Sequence, residues 1–167
     1  NTLAKHYGIK NVNGSHFRPV RLTKDSSRGG VLTQGSILLM GSDGAESNPI
    51  YRGVWLRKRL FADPPPPPPP GAPSLEKKDN TKLSLKEQIA LHREEAACAR
   101  CHDKIDPWGI AFEAYDPTGR IKSTSFDSST ILPDGSKLED LRGLQEYIQK
   151  SMPFEFAEGF TRRVTGY

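Results

Sequence analysis

The chain has 167 residues with 24 Lys and Arg against 20 Asp and Glu, and only 35% of its residues are hydrophobic. With 15 Gly and 14 Pro besides, this supports one ordinary domain or two small ones, a modest core and many loops. The net charge of +4 is too small and dispersed to argue for a nucleic-acid partner, and no apolar run reaches the length of a membrane span.

Leu3 to Ile9 reads as the last turn of a helix capped by Gly8. A chain that opens on Asn1 inside a helix and closes on Tyr167 is expected to be a piece cut at both ends. Asn11 to Arg21 is loop, with Asn13-Gly14-Ser15 as a turn. The run from Val31 to Met40 is nearly all apolar and lacks period-2 alternation, which favours a buried helix over a strand. Ser47-Asn48-Pro49 starts the next helix. There Ile50, Val54, Tyr51 and Trp55 are expected on the packed face, with Arg52, Arg57 and Arg59 away from it. Arg57-Lys58-Arg59 suits a helix C-terminus through the macrodipole, or a docking patch for an acidic redox partner.

Asp63 is followed by seven prolines, Pro64 to Pro70. As polyproline II they form a semi-rigid strut of roughly 20 Å. The strut divides the chain into an N-terminal helical and loop segment (1–62), a polyproline linker or strap (63–82) and a C-terminal module (83–167).

Ser84-Leu85-Lys86-Glu87 is a capping box, and a helix is expected from there through Cys101. At about 100° per residue, Ile89, His92 and Ala96 share the Leu85 face, while Leu91, Cys98, Cys101 and His102 fall roughly opposite. Cys98-Ala99-Arg100-Cys101-His102 holds both cysteines of the chain. Cys-x-x-Cys-His is the attachment pattern of c-type haem: two thiols reach the vinyl groups on one porphyrin edge, and the next residue supplies the proximal imidazole. Three alternatives compete. A zinc site needs four ligands, which only His6, His16, His92 or a carboxylate could complete. A thioredoxin-type dithiol would follow a strand. A disulfide across three residues is strained and closes almost no loop. Haem attachment implies export, hence a periplasmic or other extracytoplasmic location.

If one covalent haem c is bound, Leu91 is expected to flank it, His92 to face away, and the Asp106-Pro107 turn to accept the second ring N–H of His102. Ile105, Pro107 and Trp108 would line the pocket, together with Ile110 and Phe112. Trp108 or Arg120 would reach a propionate, Trp108 being equally suited to plain core packing. Met152 is the first candidate for the distal iron ligand, with His6, Met40 and His16 as alternatives. Residues 121–138, with the Leu132-Pro133-Asp134-Gly135 turn, suggest a small hairpin. Leu141, Leu144 and Ile148 form one helical stripe; Phe156, Phe160 and Val164 form another after Met152-Pro153. The expected fold is thus mainly α with a small β-hairpin: a cytochrome-c-like module preceded by a helical and loop segment and a polyproline strap.

The run His92-Arg93, Cys98 to Glu113, Asp116 and Gly119-Arg120 resembles the C-terminal cytochrome-like module of large exported planctomycete-type proteins, domains of unknown function. The resemblance extends to Arg28 to Ser36, Arg52-Gly53-Val54-Trp55, the proline run, Leu132 to Gly135, and Phe156-Ala157 with Phe160-Thr161. It implies a module set beside other haem domains and brings no established activity. Three functions follow as expectations. The first is electron transfer to a redox partner protein or to other haems of a parent chain. The second is a structural role in a membrane-associated or extracytoplasmic complex. The third is peroxidase- or oxidase-like catalysis, for which no distal His/Arg pair is evident.

Overall fold

The computed structural model describes residues 1–23, 26–70, 84–124 and 126–166. Before the prolines come α1 (Thr2–His6), a 3-10 turn (Val31–Thr33), α2 (Gly35–Met40) and α3 (Pro49–Leu60). After them come α4 (Leu85–His92), α5 (Ala96–His102), α6 (Asp106–Ile110), β1 (Thr130–Ile131), β2 (Lys137–Leu138), α7 (Leu141–Ser151) and α8 (Pro153–Thr165). The architecture is mainly helical with one small hairpin, as the patterns predict. Thr130 pairs antiparallel with Leu138, and Ile131 with Lys137. Gly135 turns the hairpin at φ +87°, a left-handed value that glycine adopts without strain.

Helix α3 is the axis of the fold. Asn48 caps it by accepting the Tyr51 N–H, and Pro49 occupies its first turn. Its buried residues are Pro49, Arg52, Gly53, Leu56 and Leu60; of the expected face, Trp55 packs against the core and Ile50 and Val54 are half-buried, while Tyr51 is 57% exposed. Arg52, expected away from the packed face, turns inward to meet a counter-charge, as described below. Helix α6 crosses α3 at backbone contact. A Cβ at Gly109 would lie 1.7 Å from the Pro49 carbonyl oxygen, and one at Gly53 would lie 2.3 Å from that of Ile105. Helix α8 meets the end of α3 in the same way, with Gly159 against the Leu60 carbonyl.

The core takes Leu32, Leu38, Leu56, Leu60 and Phe61 from before the prolines, and Trp108, Phe112, Leu138, Leu141, Leu144 and Ile148 from after them. Fully burying one such Leu or Phe side chain contributes about 1.5–3 kcal/mol, so the two halves stabilise each other through one apolar cluster. Between them Pro64–Pro70 lies outside regular helix and strand and is mostly exposed. The rest of the expected linker, 71–82, lies outside the described residues.

Two other expectations change. The Val31–Met40 run is a 3-10 turn and a short helix separated at Gln34, whose extended backbone (ψ 132°) interrupts the helical path. On α8 the stripe is present, and Phe156 stacks on Phe160, but Phe160 and Val164 are exposed while Gly159 is the buried residue. Close approach to Leu60 determines which face of α8 turns inward.

Candidate functional site

The capping box of α4 forms as predicted, with Ser84 and Glu87 bonded reciprocally. The helix does not continue to Cys101. It ends at His92, caps at Arg93, and α5 restarts after Glu95, whose backbone is extended. The restart resets the helical phase, so the expectation that His92 faces away from the motif is overturned. Its ring meets the His102 ring edge-on, with centroids 4.7 Å apart. Arg93 ties the two helices together by bonding the Asp103 carboxylate.

Cys98 and Cys101 lie one helical turn apart on α5, both unpaired and half-buried. Partial burial first, and then the Glu95 carboxylate 3.7 Å from its sulfur, push the Cys98 thiol above its ordinary value. A redox dithiol needs the opposite shift, because the thiolate is the attacking species. No group of three or more His, Cys, Asp or Glu able to hold a metal ion occurs among the described residues.

His102 closes α5. Its Nδ1 lies 2.9 Å from Asp106 Oδ1 and 3.1 Å from Oδ2, so the ring N–H is donated to that carboxylate and Nε2 is the nitrogen left to act as a ligand. Asp106 is the first residue of α6 and is fully buried. Burial pushes its carboxyl up, against the lowering pull of the His102 hydrogen bond and charge. The α3–α6 crossing at Gly109 fixes the helix that carries Asp106, and through it the imidazole.

The other sequence-predicted residues are more dispersed. Leu91 is half exposed on α4. Ile105 and Pro107 are buried, and Trp108 packs edge-on between Phe61 and Tyr147 in the core. Arg120 is exposed, and its backbone N–H bonds to Asp116. Met152 sits at the α7–α8 junction, packed against the core. His6 Nε2 donates to the Thr118 carbonyl at 2.8 Å; Met40 is 57% exposed, and His16 is exposed beside Arg18.

Sequence reasoning missed a buried ionic knot just past the end of α6. Arg52 pairs with Glu113 at 3.0 Å, both side chains within 2% of full burial. It also donates to the carbonyls of Phe112, Tyr115 and Asp116. The other Glu113 oxygen accepts from Ser47 and from Lys122. Arg28 lies over the Tyr7 ring and donates to the carbonyls of Thr33 and Gly119, docking the N-terminal segment on the 116–120 turn. The signal available was Glu113, an acidic residue in an otherwise apolar stretch, whose burial requires cationic partners; Asp116 joins the knot only through its backbone carbonyl.

Residues 28–125 match the family PSCyt3, described as a protein of unknown function (DUF1588). The match covers more than half of the chain, from Arg28 through Cys98, Cys101, His102 and the Glu113 knot, and the chain belongs to this family. No curated protein and no solved structure matches it. No helix among the described residues is long and apolar enough to cross a membrane.

Proposed function

We propose that this chain is a c-type cytochrome module that binds one covalent haem and carries single electrons. The observation that carries the reading is the motif's geometry. Two unpaired thiols stand one turn apart on α5, followed by an imidazole whose Nδ1 is held by buried Asp106 and whose Nε2 is free to bind iron. The donor set suits the group. Each thiol would hold the group as a thioether by adding its S–H across a vinyl double bond, the carbon–sulfur bond forming as the proton passes to the neighbouring vinyl carbon, so that no oxidant would be needed. Cys98 and Cys101 would hold the haem, and His102 would supply a nitrogen ligand to its iron. The bound haem supplies reversible ferric–ferrous chemistry. The electron would pass to a redox partner protein or to other haem domains of a larger exported protein, outside the cytoplasm. The name PSCyt3 fits a cytochrome-like module of planctomycete type, the finer family reading proposed here.

The test is expression with an export signal and the haem-c maturation machinery, followed by denaturation and mass measurement. Haem remaining on the denatured chain supports the reading. Replacing both cysteines by alanine must abolish it, and replacing one must leave a single thioether with a red-shifted pyridine haemochrome band. Full-length protein without covalent haem would refute the reading.

A further inference from the structure

We infer that Asp106 acts on the haem through His102 as a charge that lowers its reduction potential, and not only as a clamp on the ring. The inference rests on the proposed attachment and adds a direction to it. A backbone carbonyl would orient His102 with a partial charge. Here the acceptor is a carboxylate whose two oxygens lie 2.9 and 3.1 Å from Nδ1, in a residue with 0% exposure. In that low-dielectric setting a formal negative charge draws the N–H proton toward itself and makes Nε2 a stronger donor. Ferric iron carries one more positive charge than ferrous iron, so the stronger donor and nearby anion stabilise the oxidised state. Hydrogen bonding and burial around the axial ligand are levers by which a protein sets haem potential.

Among the described residues no Lys or Arg hydrogen-bonds the Asp106 carboxylate. Arg93 bonds twice to Asp103 and His92 meets the His102 ring edge-on, so both reach Asp106 only by longer-range charge and not by a hydrogen bond. Lys122 and Arg52 are committed to Glu113. Asp106 is a positioning residue in this account, one that also tunes the ligand. The module then requires a low-potential one-electron donor and would deliver electrons readily to acceptors of higher potential.

The decisive variant is Asp106→Asn, which keeps an oxygen acceptor of similar shape and removes the charge. In a potentiometric titration of the haem-loaded full chain, its midpoint should rise by at least a tenfold change in the ferric-to-ferrous equilibrium, about 59 mV for a one-electron couple. An unmoved or lowered midpoint in a variant that retains haem overturns the inference and leaves the haem reading standing. Wild-type protein without covalent haem overturns both. If the variant does not fold, resonance Raman of the wild-type ferrous carbon monoxide complex decides. A ligand pushed toward imidazolate places the Fe–C stretch below that of neutral imidazole at the same C–O frequency, and a value on the neutral-imidazole line overturns the inference.

Discussion

Gly109→Ala tests how the fold delivers Asp106 to His102. The added Cβ would fall 1.7 Å from the Pro49 oxygen, 2.6 Å from its carbonyl carbon and 2.9 Å from the Gly53 nitrogen, where ordinary contact begins near 3.4 Å. All three atoms are backbone, so no side chain can rotate aside, and α3 and α6 must move apart by well over an ångström. Overpacking of this kind costs about 1–3 kcal/mol, and the upper end applies where backbone meets backbone. Alanine's better helix propensity returns at most about 1 kcal/mol. A net loss of about 2 kcal/mol corresponds to a melting temperature lower by about 4–8 °C for a chain of this size. Thermal unfolding followed by circular dichroism measures it. Gly29→Ala is the control, because a Cβ there meets nothing within 4 Å and needs no positive φ. A Gly109→Ala protein that melts with the wild type would refute the close crossing and the rigid support it gives Asp106.

Other outcomes follow from the same geometry. Glu113→Ala removes the carboxylate that faces both Arg52 and Lys122, and the stranded buried guanidinium should cost about 3–5 kcal/mol in urea unfolding, with Glu113→Gln losing less. Asp127 is depressed to about 2 by hydrogen bonds from Lys86 and then Ser129. A depressed carboxylate stabilises the fold above its ordinary 3.8 and ceases to as pH falls through about 2, so the melting difference between wild type and Asp127→Asn should be full at neutral pH and vanish in strong acid. Tyr147 is pushed up to about 12, by burial first and then by its bond to Asp134. Its contribution is therefore complete below the ordinary 10.0 and lost as pH rises through about 12; in an absorbance titration, Tyr147→Phe should delete a phenol that ionises near 12.

What could be read from the residues was whatever depends on local chemistry. The capping box at Ser84, the Asn48-Pro49 helix start, the α7 stripe of Leu141, Leu144 and Ile148, and the turn at Leu132 to Gly135 each follow from propensity or period, and each is present. Counting along an ideal helix failed at His92, because a break of three residues between α4 and α5 rotates everything after it. Binary patterning failed at Arg52, because a charged residue goes inward when a distant carboxylate, sixty-one residues on, meets it there. The tight crossings at Gly53, Gly109 and Gly159 were equally hidden: a glycine's neighbour across a helix interface is a tertiary fact. At the site, the Cys98, Cys101 and His102 spacing was legible, as was an acceptor near Asp106. The full burial of that acceptor, and so its electrostatic weight, was not.

The central claim is that Cys98, Cys101 and His102 hold a haem. The most direct measurement is the pyridine haemochrome spectrum of the exported full chain after denaturation and solvent extraction. The account predicts a haem-c band that stays with the protein, one haem per chain, and disappears when both cysteines are replaced. An extracted chain with no haem band, under conditions that mature other c-type cytochromes, would contradict it.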